Sequence, residues 1–307
     1  MSESSRPRPP RSSSPPASGY TVADLEQALD RFRGFRMLGR GSEGAVFIAW
    51  DWTRKEDVAL KLMRDGGDPE IYERFEREYA ILATSRSPNL VIVYSRGHGP
   101  VRLADGSTQG HFWYTMEICD TTLRKVYRGM DLEARIDMMR QMLNGLAYLH
   151  AKNVAHRDIK PANLFLVKNT QLKIGDFGLA TVTKVPTNTS GMVSGSPPYL
   201  APERWAGDQD ADWRPSDQYA AAVTAFELLS CGAAPLDFSG GTMQAHLYGP
   251  VAHLEIPELR GKRLLAVNEV LHRMLAKQPE DRYPDLAECK RELDAALAQD
   301  GVTGWVR

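Results

Sequence analysis

His156-Arg157-Asp158-Ile159-Lys160-Pro161-Ala162-Asn163 is a polar run set between a segment with helical apolar spacing (Ile136, Met139, Leu143, Leu146, Leu149) and a continuous apolar run, Leu164-Phe165-Leu166-Val167. A polar loop between two buried elements is a rigid platform of the kind that carries catalytic groups. This one offers a carboxylate, an ammonium and an amide oxygen in close succession. Phosphoryl transfer needs such a set: a carboxylate near the attacking hydroxyl, a cation near the transferred group and an oxygen ligand for magnesium. Asp158, Lys160 and Asn163 are the candidates for those three roles. Downstream, Leu172-Lys173-Ile174-Gly175 reads as a short strand ending at Asp176-Phe177-Gly178. A carboxylate at a strand end is well placed to hold a hard cation, so Asp176 is the second metal candidate.

Two upstream segments answer to the same chemistry. Gly39-Arg40-Gly41-Ser42-Glu43-Gly44-Ala45-Val46 puts glycines between two strand-like segments, where backbone can close over phosphates without interference from Cβ atoms. A dinucleotide-binding loop needs a helix straight after its third glycine, and Ala45-Val46-Phe47-Ile48-Ala49-Trp50 reads as strand, which excludes that class. Val58-Ala59-Leu60-Lys61-Leu62 buries a lysine in an apolar strand, at a cost of several kcal/mol unless it is paired. The helical stretch Ile71–Ala83 supplies the anion. Ile71, Phe75, Glu78 and Leu82 share one stripe while Glu73 and Glu76 point away, so Glu78 is the acid that faces inward.

The rest of the chain frames these segments. Residues 1–19, rich in Ser, Pro and Arg, cannot bury enough apolar surface to offset their ordering entropy and read as a disordered tail. Thr21 to Phe32 reads as a short helix, with Thr21 and Asp24 in a capping box and Leu25, Ala28, Leu29 and Phe32 on a face that docks on the neighbouring domain. From Phe35 to Met116, β-rich runs at Ala45–Trp50, Asp57–Leu62, Asn89–Tyr94 and His111–Met116 surround one helix. Past Met116 the spacing turns mostly helical, as in Tyr219, Val223, Phe226 and Leu229. The organisation expected is a tail (1–19), a packed helix (20–33), a small β-rich lobe (34–116), a larger helical lobe (117–297) and a C-terminal tail (298–307). Two long loops are expected, Gly97–Gly110 and 181–198.

A net charge of −1 over 307 residues gives no drive towards nucleic acid or an anionic membrane. Cys119, Cys231 and Cys289 form no CxxC spacing, which argues against a disulfide framework or structural zinc and makes a reducing, cytoplasmic compartment the expectation. No run reaches the length of a membrane span or a signal-peptide core.

Taken in order, GRGSEGAV, VALK, HRDIKPAN, DFG and, at Ala201-Pro202-Glu203, APE resemble the eukaryotic-type (Hanks-type) serine/threonine protein kinase family, from about Phe35 to about Leu297. The resemblance implies an α+β, two-lobed protein kinase fold, with a small five-stranded antiparallel sheet carrying one main helix, a larger mostly helical lobe, and ATP between them. It implies transfer of the γ-phosphoryl group of Mg-ATP, with Mn2+ able to substitute, to Ser or Thr of a protein substrate. Gly39, Arg40, Gly41, Ser42, Glu43 and Gly44 would cover the nucleotide, with Val46 and Ala59 beside it. Lys61, paired with Glu78, would grip the phosphates, Met116 would be the gatekeeper, and the backbone of Glu117 and Cys119 would hydrogen-bond the adenine. Asn163 and Asp176 would hold magnesium, Asp158 would orient the hydroxyl and take its proton, and Lys160 would neutralise the transferred group.

Within that family the lysine of HRDIKPAN, and Gly195-Ser196-Pro197 ahead of Tyr199, point to a Ser/Thr acceptor. The resemblance further implies that Glu203 pairs with Arg282 and that Asp217 steadies the catalytic loop from a buried helix. Arg157 would face a phosphate on the activation segment 176–203, where Thr183, Thr187, Thr189, Ser190 and Ser194 are the acceptors. Autophosphorylation through self-association follows as an expectation. Ala162 stands where an acidic residue often occurs in kinases that prefer arginine before the acceptor, which disfavours a basic motif. A non-catalytic scaffold would be expected to have lost Lys61, Asp158, Asn163 or Asp176, and a small-molecule phosphotransferase would not need the APE segment or Arg282; all are present.

Overall fold

A computed structural model describes residues 22–40, 44–64, 69–102, 108–182, 195–206, 212–259 and 264–302. By their contacts these fall into two units, one within Met1–Tyr72 and Tyr94–Met116 and the other within Glu73–Val93 and Glu117–Arg307.

The first unit opens with α1 (Val22–Ala28) and holds a sheet in the order β1–β2–β3–β5–β4, where β1 is Phe32–Arg40, β2 Gly44–Asp51, β3 Glu56–Arg64, β4 Val93–Arg102 and β5 Thr108–Met116. β1 with β2, β2 with β3, and β3 with β5 pair antiparallel. Side chains alternate between the faces of a strand, so the register sorts the sheet into two sides. Ala45 opposite Leu62, Phe47 opposite Leu60 and Ala49 opposite Val58 form one side, buried with Leu25, Leu29, Phe32 and Phe35. Val46 opposite Lys61, Ile48 opposite Ala59, and then Tyr114 and Met116 across from Lys61 and Ala59, form the other. The apolar stripe of α1 thus packs on the sheet side that carries none of these nucleotide-site candidates.

Gly44 owes its identity to a close backbone approach, since a Cβ there would stand 2.1 Å from the Leu62 carbonyl oxygen. At Gly39 a Cβ would meet nothing within 4 Å. Gly44→Ala is therefore expected to cost about 1–3 kcal/mol by overpacking, and Gly39→Ala to be near neutral. Denaturant midpoints of the two variants check the contrast.

Several expectations change here. The helix expected over Thr21–Phe32 ends at Ala28, because Phe32 already pairs with Asp51 as the first residue of β1; Thr21, and with it the capping box, lies outside the described residues. Gly97–Gly110 is not one loop, since β4 runs to Arg102 and β5 begins at Thr108. Gly97 presses against the Trp113 ring, where a Cβ would be only 2.3 Å away, and His98 stacks on Phe112 at 4.6 Å. Cross-strand aromatic contact, rather than strand propensity, sustains the pairing of this glycine-rich stretch. Nor is Asn89–Tyr94 a single strand, because β4 starts at Val93, while Leu90 bridges to Ile174 in the second unit.

In the second unit α2 (Pro69–Ala83, begun in the first) precedes β6 (Thr121–Thr122), α3 (Leu123–Val126), α4 (Leu132–Ala151), β7 (Val154–Ala155), β8 (Leu164–Val167), β9 (Gln171–Ile174), β10 (Thr181–Val182), α5 (Pro202–Trp205), α6 (Arg214–Leu229), α7 (Thr242–Tyr248), α8 (Leu265–Met274) and α9 (Leu286–Gln299). Phe75, Glu78 and Leu82 are buried on α2 and Glu73 is exposed, as the stripe predicts, while Glu76 is half-buried and the Ile71 side chain lies outside what is described. α4 begins at Asp131, whose side chain accepts from the Ala134 N–H at 2.8 Å, and buries Ile136, Met139, Leu143, Leu146 and Leu149. α6 is buried nearly all round, which makes it the central helix of this unit's core. Order continues past residue 297: Asp300 accepts from the Ala266 and Val267 N–H groups at the start of α8, and Val302 is buried. The class is α+β, with an antiparallel sheet unit and a mostly helical unit, as expected. Among the described residues no helix is long and apolar enough to cross a membrane.

Candidate active site

The loop after β7 is suspended from α6. Asp217, 1% exposed, accepts the His156 N–H at Oδ2 and the Arg157 N–H at Oδ1, both at 2.7 Å, and Oδ2 lies 2.9 Å from His150 Nε2. Arg157 has φ 71°, a left-handed conformation that a non-glycine residue keeps only where its surroundings over-determine it. The two Asp217 bonds supply that constraint. The His156 ring then ties the loop to the DFG strand: its Nε2 lies 3.1 Å from the Gly175 carbonyl, and the Asp158 N–H points at its Nδ1 at 3.3 Å. A carbonyl can only accept, so Nε2 donates and Nδ1 is left to accept.

Asp158, Lys160, Asn163 and Ser196 form one cluster. Asp158 Oδ2 accepts from Lys160 Nζ at 2.7 Å and from Asn163 Nδ2 at 2.8 Å, while Oδ1 accepts from Ser196 Oγ at 2.8 Å. Lys160 Nζ also donates to Ser196 Oγ at 2.5 Å. Burial pushes the Asp158 carboxyl up, but hydrogen bonds from Lys160 and Ser196 and the charge of Lys160 outweigh it and hold the group below its ordinary value. The result is an ionised carboxylate beside an ammonium, with a serine hydroxyl lying across both. In the sequence Ser196 only points to a Ser/Thr acceptor; its bonds to both groups depend on the turn Pro197–Tyr199, which returns the chain to the loop.

The metal candidates have the right donor chemistry. Asn163 spends its amide N–H bonds on the Asp158 carbonyl and carboxylate, both at 2.8 Å, which leaves the amide oxygen as its ligand atom. The Gly175 N–H donates to the Asn163 carbonyl at 3.1 Å, so Asp176 follows directly on a residue tied to Asn163. Asp176 is exposed and left-handed at φ 62°, while Phe177 behind it is buried against His156 with ring centroids 4.8 Å apart. Two hard oxygen donors suit Mg2+, which takes one or two carboxylates from a protein and fills its octahedron with water and phosphate oxygens. Among the described residues no cluster of three or more His, Cys, Asp or Glu offers an all-protein cage.

Glu78 is fully buried and accepts the Phe177 N–H at Oε1, at 3.2 Å. Lys61 lies in the first unit, 8% exposed, with Nζ 5.8 Å from the Tyr114 ring centre. Gly39, Arg40, Gly44, Val46, Ala59 and Met116 occupy β1, β2, β3 and β5, whereas Gly41, Ser42 and Glu43 lie outside the described residues. The Glu117 N–H donates to the Ile92 carbonyl at 2.9 Å, so Glu117 has its carbonyl to offer an adenine. Its side chain accepts from Lys173 Nζ at 2.9 Å and from the Ile92 N–H at 2.7 Å, a fixture that no motif in the sequence announces. Burial pushes the Cys119 thiol up to about 12, so only its backbone is a candidate.

Arg157 is 8% exposed, and its guanidinium lies 3.9 Å from the Trp213 ring centre, with Arg204 at 3.8 Å from the same ring. Its Nε and Nη2 have no hydrogen-bond partner among the described residues. Burial and the charge of Arg204 bring it down to about 10 against the pull of Asp217, with Arg77 and Arg74 adding to the depression. Trp213 carries no motif signal. Further along, Glu203 and Arg282 form the expected pair: Nη1 to Oε1 at 2.9 Å and Nη2 to Oε2 at 2.8 Å, with Ser216 Oγ donating to Oε1 at 2.7 Å.

The chain is similar to known proteins over most of its length. The model of the family described as "Protein kinase domain" matches residues 32–291. Serine/threonine-protein kinase Pkn1 of Myxococcus xanthus is 31% identical over 283 residues, covering 87% of this chain and 38% of that protein. PknF of Mycobacterium tuberculosis is 31% identical over 291 residues (88% of this chain, 58% of that protein), and PknB of Mycobacterium leprae 31% over 274 (86% and 42%). The chain thus spans between 38% and 58% of the length of these relatives.

Proposed function

Since the chain belongs to the protein kinase family, we propose that it transfers the γ-phosphoryl group of ATP to serine or threonine hydroxyls of a protein substrate. The observation that carries this reading is the cluster of Asp158, Lys160, Asn163 and Ser196. An acceptor hydroxyl displaces Ser196 Oγ from Asp158, which orients it and takes its proton. Lys160 neutralises charge on the transferred group. The glycine loop and Lys61, with Glu78 as counter-ion, hold the phosphates; Val46, Ala59 and Met116 line the base, and the Glu117 carbonyl and Cys119 backbone hydrogen-bond it. A magnesium ion held by the Asn163 amide oxygen and the Asp176 carboxylate, with manganese as a substitute, supplies charge neutralisation on the phosphate oxygens. Little covalent chemistry falls to the protein, and positioning with charge stabilisation accounts for the acceleration.

Regulation belongs to the same proposal. Buried Arg157, with two unpartnered nitrogens and Arg74, Arg77 and Arg204 around it, is a receiver for a phosphate carried by Thr183, Thr187, Thr189, Ser190 or Ser194, all outside the described residues. The enzyme reaches those hydroxyls in a second copy of itself. A cytoplasmic compartment fits, since ATP is available there and Cys119, Cys231 and Cys289 are free thiols.

The test is intact-mass analysis of phosphatase-treated protein incubated with Mg-ATP, beside an arm with EDTA in excess. Mass gains in steps of one phosphate, abolished by EDTA, are expected, with peptide mapping placing one or more in 183–194. Protein that binds ATP yet neither gains phosphate nor passes it to a serine-containing protein would sink the reading.

A further inference from the structure

We propose that His246 is a positioning residue for the turn Pro197–Tyr199, and that through this turn it keeps Ser196 against Asp158 and Lys160. The inference rests on the kinase reading for its functional meaning, because that turn directly follows the serine bonded to both catalytic groups.

His246 lies on α7 and is fully buried in a box of rings: Tyr219 at 5.7 Å, Phe238 at 5.4 Å and Trp205 at 6.4 Å between centroids. A phenylalanine would fill such a box without desolvating a polar ring, so the two nitrogens need an explanation. Nδ1 has one, at 2.9 Å from Tyr219 Oη. Burial raises the Tyr219 hydroxyl well above the usual phenol range, so it keeps its proton and donates to Nδ1. A neutral imidazole then carries its N–H on Nε2. Nε2 is buried and has no hydrogen-bond partner among the described residues, while α7 packs directly against the turn Pro197–Tyr199, whose Pro197 and Pro198 carbonyls favour a proton on the ring. Neither proline has an N–H, so the turn presents acceptors to its surroundings, and an N–H on Nε2 is the matching donor.

The charges around the ring support a neutral form. Burial, and Lys277 beside it, bring His246 down to about 4, while the two proline carbonyls work the other way. Lys277 donates to the Ala245 carbonyl at 3.3 Å. Tyr219 stands on α6 two residues after Asp217. One buried helix therefore references both halves of the site, holding the catalytic loop through Asp217 and the acceptor turn through Tyr219 and His246. Among the described residues the backbone bonds of the turn are the Tyr199 N–H to the Ser196 carbonyl at 2.9 Å and the Leu200 N–H to the Pro197 carbonyl at 3.3 Å, and Tyr199 Oη donates to Glu227 Oε2 at 2.7 Å, which anchors its far end but not the prolines.

The test compares wild type with His246→Phe, which fills the box without nitrogens, His246→Gln, whose amide N–H can reach the place of Nε2, and Tyr219→Phe, which frees Nδ1 and keeps the packing. Three readouts are taken on variants that melt cooperatively: KM for a serine-containing peptide, KM for ATP, and hydrogen exchange at Tyr199 and Leu200. For His246→Phe the expected result is a rise of about tenfold in peptide KM, the scale of a lost buried hydrogen bond, with ATP KM within about twofold and faster exchange at both amides. Tyr219→Phe should shift the same readouts less, and His246→Gln should recover part of the loss. Unchanged peptide KM and exchange in either folded phenylalanine variant would overturn the proposal. Exchange needs no turnover, so it decides the role of His246 even if the wild type transfers no phosphate, an outcome that counts against the kinase reading instead.

Discussion

Asp158→Asn is expected to lower kcat about a thousandfold while ATP affinity stays within about twofold. The carboxylate is held by three donors, Lys160 Nζ, Asn163 Nδ2 and Ser196 Oγ. An asparagine removes the proton acceptor and, in one of its two orientations, turns an NH2 group towards the Lys160 ammonium. In the other it faces the Ser196 hydroxyl, which can rotate to accept, so the loop stays folded and the loss falls on the chemical step. Steady-state kinetics beside calorimetric ATP titration check this. More than a tenth of wild-type kcat in the variant would mean that Asp158 is not the base.

Arg282→Ala is expected to destabilise the helical unit by about 3–5 kcal/mol, because it strands a buried carboxylate rather than only removing a contact. Both guanidinium Nη atoms engage Glu203, and the same group donates to the Ala276, Pro215 and Lys277 carbonyls. Burial works against ionised Glu203, but the bonds and charge of Arg282, with the Ser216 bond, hold its carboxyl below the ordinary value. Without Arg282 that balance reverses, and the chain end of the segment 195–206 loses its anchor. Thermal melts should fall by roughly 10 °C, on the scale of about 2–4 °C per kcal/mol for a domain of this size. Arg282→Lys should recover only part of the loss, since an ammonium cannot reproduce the planar fork. A melting temperature within about 2 °C of wild type for the alanine variant would refute the argument.

What could be read from the sequence were features set by local spacing. Periodicity placed Glu78 on the inward face of its helix, because a helical stripe is fixed by residue number alone. The apolar run Val58–Leu62 marked Lys61 as a buried lysine, because a strand's neighbours in sequence set its burial. The polar loop between apolar flanks gave Asp158, Lys160 and Asn163 for the same reason. The errors came where pairing overrode propensity. Gly97–Gly110 reads as loop because glycine and charge are poor strand formers, yet Trp113 and Phe112 hold Gly97 and His98 in the sheet.

The sequence by itself determined the inventory of chemical groups, their order along the chain and the α+β class, because these depend on composition and short-range period. Only the tertiary structure decided how those groups are held: Ser196 across Asp158 and Lys160, Asp217 beneath the loop, Trp213 between two arginines, and Tyr219 against His246. Each joins residues far apart in sequence through a hydrogen bond or ring contact, and such contacts leave no periodic trace, since they depend on where α6 and the turns lie in space and not on spacing along the chain.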